Sequence, residues 1–168
     1  VYLVSATLVA NSCTLRGAHS WKRDKGAILL ASDEFAGNAV LVSSNGPVDF
    51  TSLNIDANGV DHGLKLSNTN GSEAEVARVK VYGASVSGFQ FNDCQSFFPR
   101  QLHAEDCQDG FVLSGCNASV LSQSRAILNT GNGFVMSSSA LAGGATFSGC
   151  IPERNGGHGV LLIGDGSA

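Results

Sequence analysis

The chain has 168 residues, of which 14% are charged and 21 are glycine, and its net charge is −4. That size makes one domain with a continuous core, and the composition suits a turn-dense β structure rather than disorder. With an acidic balance and no basic patch interleaved with aromatics, nothing points to nucleic acid, and no apolar run reaches membrane-spanning length.

In chain order, Val1-Tyr2-Leu3-Val4 and Ala6-Thr7-Leu8-Val9 read as strands, and Asn11-Ser12-Cys13 turns into Thr14-Leu15-Arg16-Gly17. Residues 18–26 read as a loop that places Trp21 among Lys22, Arg23, Asp24 and Lys25. Such a tryptophan is either a sugar-stacking platform or an aromatic folded back over an open end of the fold. Strands follow over 27–31, 39–43 and 48–55, with Pro47 at the corner between two of them.

From residue 39 the chain repeats one phrase. Ala39-Val40-Leu41-Val42 is a weak first copy, followed by Gly63-Leu64-Lys65-Leu66 and Gly88-Phe89-Gln90-Phe91. Gly110-Phe111-Val112-Leu113, Gly133-Phe134-Val135-Met136 and Gly159-Val160-Leu161-Leu162 complete the series. The steps of 24, 25, 22, 23 and 26 residues mark a solenoid, whose units cannot bury a core alone. Alternation turns Leu64 and Leu66, Phe89 and Phe91, Phe111 and Leu113, Phe134 and Met136, and Val160 and Leu162 inward. A second strand precedes each later phrase, at Leu53 and Ile55, Val79 and Val81, Leu102 and Ala104, then Ala126.

Like strands recurring in one direction pair in parallel, at about 4.8 Å per rung. The predicted fold class is therefore all-β, a right-handed, single-stranded parallel β-helix of about six coils of 22–26 residues. Residues 1–168 are expected to form one such domain, with 1–37 as first coil and capping loop and 38–168 as regular coils. A bare rung strand so close to residue 168 implies a slice of a longer polypeptide.

The opening, from Val1-Tyr2-Leu3-Val4 to Thr14-Leu15-Arg16-Gly17, resembles the first coil of the pectate-lyase-like β-helix family (the pectin-lyase superfamily). That family includes bacteriophage tailspikes and related polysaccharide-degrading proteins. The resemblance implies a tailspike-like role at an extracellular or virion surface, with a polysaccharide as partner and a homotrimer as assembly. It leaves open whether the chain is a depolymerase (a glycoside hydrolase or polysaccharide lyase) or a non-enzymatic structural or adhesive stalk. Gly157-His158-Gly159 is similar to the glycine-histidine-glycine motif of polygalacturonase-type hydrolases. The acids that motif needs are missing: Asn68-Thr69-Asn70 lacks one, and Glu105-Asp106 lies about two rungs away. That activity is not carried over.

Stacking turns equal positions into ladders. Asn38, His62, Ser87, Asp109, Asn132 and His158 precede the rung phrases, where such residues serve as turn formers. Outward on the second strand stand Asn54, Lys80, His103 and Arg125, with Asp56, Tyr82 and Glu105 two residues further along. Mixed charge with an aromatic on one ribbed face suits a glycan, but it also suits any solvated face. The candidate catalytic pair is Glu105 and Asp56, two rungs or roughly 9–10 Å apart, near the upper limit for inverting a glycosidic bond. Lys80, Tyr82, His103 and Arg125 are the candidate substrate-binding residues, and Phe97-Phe98-Pro99 is a candidate wall.

The outward residues of the rung phrase turn apolar at Val112, Val135 and Leu161, a stripe that would join subunits. Of the cysteines, Cys13, Cys94, Cys107, Cys116 and Cys150, no two have metal-type spacing, and neither a metal nor a cofactor is expected. Cys94 and Cys116 each lie six residues beyond their rung glycine. They should stack on adjacent rungs, as buried thiols or as a disulfide.

Overall fold

Each pass of the chain lays down strands on three parallel columns, so the protein is an all-β solenoid of about six turns. The computed structural model describes residues 1–18, 26–70, 74–137 and 144–164, and Trp21 with its loop lies outside them. The glycine column stacks the end of Ala27–Ser44 with His62–Ser67, Ser87–Asn92, Asp109–Ser114, Phe134–Ser137 and Val160–Ile163. A second column stacks the start of Ala27–Ser44 with Leu53–Asp56, Lys80–Tyr82, His103–Glu105, Arg125–Ile127 and Ile151–Glu153. The third holds Cys13–Arg16, Val48–Thr51 and Ala74–Ala77, then a bridge at Arg100, then Val120–Ser122 and Thr146–Ser148. No helix occurs among the described residues, and none is long and apolar enough to cross a membrane.

Two local features make the coil. Between the third and second columns one residue per turn takes positive φ: Ser52, Arg78, Gln101, Gln123 and Gly149. A single left-handed residue bends the chain without a loop, so these corners stack as tightly as the strands they join. The rung glycines solve a different problem. A Cβ on Gly110 would stand 2.6 Å from the Gly133 carbonyl oxygen and 2.9 Å from the Ala126 Cβ. Here the glycine is needed because the next rung's carbonyl and the second column together fill the space a side chain would take.

The core is a ladder of like side chains. Phe89 and Phe111 stack with ring centroids 4.7 Å apart, and Phe111 and Phe134 with centroids 4.9 Å apart. Phe91 packs edge-on to Phe97 at 5.2 Å, and all five rings are almost wholly buried. The aligned inward phenylalanines expected from the repeat are thus present.

Several expectations from the sequence need correction. The first rung phrase is registered one residue late, with Leu41 beside Leu64 and Ser43 beside Leu66. Without a glycine, Ala39-Val40-Leu41-Val42 has nothing to mark which parity faces in. Residues 27–31 and 39–43 belong to one bent strand, Ala27–Ser44, while 48–55 is broken by Ser52 at φ 59°. The third column was hidden because its strands lack a recurring phrase. Phe97 belongs to the core, so only Phe98 of the supposed wall is exposed. The Val112, Val135 and Leu161 ladder is in register, yet Val135 is only 5% exposed and its neighbours are partly buried. At a rung spacing of about 4.8 Å, each ladder member covers the flank of the next.

Candidate functional site

The second column keeps the offsets its sequence implies. Asn54, Lys80, His103 and Arg125 are successive partners, and so are Asp56, Tyr82 and Glu105. Their parity is opposite to Ile55, Val81, Ala104 and Ala126, which lie in the hydrophobic core. Asp56 and Glu105 therefore share one face with Tyr82 between them, roughly 9–10 Å apart by strand spacing.

The middle of the face is enclosed, contrary to the simplest reading of its charges. Lys80 and His103 are 6% and 8% exposed, and Asn54 and Tyr82 are buried with them. One carboxylate oxygen organises the cluster: Glu105 Oε2 lies 2.8 Å from Lys80 Nζ and 3.5 Å from His103 Nε2. The same ammonium sits 4.5 Å from the centre of the Tyr82 ring, a cation–π distance. Burial, aided by the Lys80 charge and opposed by Glu105, pulls the His103 pKa down to about 4. The imidazole is thus neutral at physiological pH, next to an ion pair whose ammonium is buried and whose carboxylate is partly exposed.

Two predicted residues lie at the margins of this cluster. Arg125 is exposed and pairs with Glu153 at 3.2 Å, on the C-terminal side. Asp56 accepts a hydrogen bond from the Asn58 N–H at 3.3 Å, at the opposite end of its ladder. Stacking brings Lys80, Tyr82, His103 and Glu105 together and leaves Asp56 and Arg125 flanking them.

Beside the cluster runs a trough of about 620 Å³, lined by Gln101, His103, Gln123, Arg125, Gly149 and Ile151. It follows the corner between the third and second columns, because Gln101, Gln123 and Gly149 are the left-handed residues of three successive coils. The Gln101 amide donates to the Gln123 amide oxygen at 3.5 Å. The glutamines were missed as candidates. Their signal is faint: one polar residue, two positions ahead of each outward residue on the second strand. The trough joins amides, a neutral imidazole, a guanidinium and the exposed Ile151, a mixture that fits hydroxyl groups and the apolar faces of sugar rings.

The other ladders spend their polar atoms between rungs. His62 Nδ1 and Ser87 Oγ are 2.8 Å apart, and Asp109 Oδ1 accepts from the Asn132 backbone N–H at 2.6 Å. Asn132 Oδ1 in turn accepts from the His158 N–H at 3.0 Å. This is turn chemistry, and Ser87 is fully buried. Among the described residues no group of three or more His, Cys, Asp or Glu is placed to hold a metal.

Comparison with known proteins bears on the architecture. A family model described as "Right handed beta helix region" matches residues 38–168. A solved structure from Parabacteroides merdae, provisionally named a glycosyl hydrolase, is similar at 13% identity and a TM-score of 0.43. The similarity covers 96% of this chain and 76% of that one. No curated protein matches the sequence.

Proposed function

The chain belongs to the right-handed β-helix family, and from that premise we propose that it is part of a tailspike-like protein that recognises a cell-surface polysaccharide. One observation carries the reading. The trough along Gln101, Gln123, His103 and Arg125 adjoins the Lys80, Tyr82, Glu105 cluster, so an adaptable polar surface rests on a rigid charged base. Glycan hydroxyls bond to the amides and the guanidinium, and the exposed Ile151 meets a sugar face. Such a protein works at an extracellular or virion surface.

In this reading cleavage is secondary to binding. Glu105 and Asp56 supply two carboxylates on one face, about 9–10 Å apart by strand spacing, which allows a water between them and so inversion at the anomeric carbon. Glu105→Gln removes proton transfer but not the surface, so it abolishes cleavage of the cognate polysaccharide and leaves binding largely intact. A homotrimer through the Val112, Val135 and Leu161 ladder completes the proposal. Sedimentation of Leu161→Asp as a monomer, against a trimeric parent, supports that contact, and a monomeric parent removes it.

Burial itself favours a second reading, a non-enzymatic stalk. Lys80, Tyr82 and His103 are enclosed and Glu105 is paired, which stiffens the coil. Binding to an array of bacterial-surface oligosaccharides separates the two. The glycan reading expects a ligand whose affinity falls roughly tenfold, about 1.4 kcal/mol, in Arg125→Ala and Gln123→Ala but holds in Gln90→Ala on the glycine column. Absence of binding to any glycan on the array favours the stalk, and equal loss of binding in all three variants removes the trough as the glycan site.

A further inference from the structure

All five cysteines lie among the described residues, and all are free thiols. One pair occupies equal positions on adjacent rungs. The bridge between Gln95 and Asn117 sets Cys94 beside Cys116, and the Asn117 N–H donates to the Cys94 carbonyl at 2.8 Å. Both residues are fully buried, with Cys94 Sγ donating to the Asn92 carbonyl and Cys116 Sγ to the Phe91 carbonyl, each at 3.5 Å. The other three have different neighbours. The Cys107 N–H donates to the Asn129 amide oxygen at 3.0 Å, Cys150 Sγ to the Leu121 carbonyl at 3.2 Å, and Cys13 pairs with Val48.

We propose that Cys94 and Cys116 are a cross-link site, closed to a disulfide while the coils form. Stacked residues have Cα atoms about 4.8 Å apart, inside the roughly 4.4–6.8 Å range that a disulfide spans without backbone movement. The oxidant is a low-molecular-weight disulfide such as oxidised glutathione. One protein thiolate attacks it, forms a mixed disulfide and releases one glutathione thiol. The second protein thiolate then attacks the protein sulfur of that mixed disulfide and expels the other glutathione. The protein gives up two protons and two electrons, and one glutathione disulfide becomes two thiols.

Timing follows from burial. With no exposed surface, neither sulfur meets an oxidant once the coil has closed, and the neighbouring Cys116 thiol together with burial holds the Cys94 thiol well above its ordinary range. Exchange is therefore confined to the folding chain, and the finished bond lies beyond the reach of soluble reductants. It closes a single coil, since residues 94 and 116 are 22 apart, and clamps the rung of Phe89 to the rung of Phe111.

The test is refolding of the reduced, denatured full-length chain in a glutathione redox buffer, followed by thiol counting and peptide mapping in denaturant. Free thiols should fall from five to three, with Cys94 joined to Cys116. The thermal midpoint should rise by roughly 5–15 °C over the reduced chain. Five thiols after oxidative refolding, or a bridge through Cys13, Cys107 or Cys150, overturns the proposal. Because serine at a buried rung position can itself prevent folding, Cys107→Ala is the companion variant and must form the same Cys94–Cys116 bridge.

Discussion

The inner face of the glycine column and the outer face of the second column obey one stacking rule with opposite chemistry. Inside, like sits on like: Phe89, Phe111 and Phe134 gain from identity, because flat rings and apolar surface add along the ladder. Outside, unlike sits on unlike: Lys80 lies between Asn54 and His103 and reaches diagonally to Glu105. A ladder of identical charges would repel at a rung spacing of about 4.8 Å, so a polar ladder persists only when its members differ. The aromatic ladder therefore specifies the fold, and the mixed ladder makes one stretch of it unlike the rest.

The largest test of that contrast is Phe111→Ala, which should cost about 3–5 kcal/mol in urea unfolding. The same truncation at the outward Gln90, whose amide bonds to Asn92 and Ser87, should cost only about 0.5–1.5 kcal/mol. Comparable losses at both positions would break the distinction between the faces.

The next effect is a pH dependence located at His103. Its folded pKa of about 4 lies below the ordinary 6.5, so between those values the unfolded chain binds more protons. The stability that depends on a neutral His103 is full above pH 6.5 and is lost as the pH falls toward about 4. The loss is on the order of 3 kcal/mol. His103→Gln should flatten that part of the profile, and an unchanged slope would show that the imidazole is not enclosed.

Smallest is the ion pair. Lys80→Met should destabilise by about 1–3 kcal/mol, below the figure for a fully buried pair because the Glu105 side chain is 27% exposed. Adding Glu105→Gln to Lys80→Met should restore part of that loss. If the two changes are strictly additive, the 2.8 Å contact contributes nothing to stability.

How far the sequence reached depended on whether a feature runs along the axis or around the coil. A constant step says which residues stack, so Phe89 on Phe111 and Lys80 on His103 were both legible from spacing. It says nothing of what lies sideways. The closeness of Val81, Ala104 and Ala126 to the rung glycines was invisible, as was the enclosure of Lys80 and Tyr82. Left-handed corners at Arg78, Gln101 and Gln123 were also missed, because turn residues are sought among glycine, asparagine and aspartate. Two of those corners, Gln101 and Gln123, line the trough, so the candidate site was read with one wall missing.

The central claim, that the corner beside the mixed ladder is where a glycan lies, is tested most directly by amide chemical-shift mapping. Oligosaccharides released from bacterial-surface polysaccharides would be titrated into the isotope-labelled chain. Shifts are expected to be confined to Gln101, His103, Gln123, Arg125, Gly149, Ile151 and their sequence neighbours. Shifts centred on Val112, Val135 and Leu161, or none at saturating sugar, would contradict it.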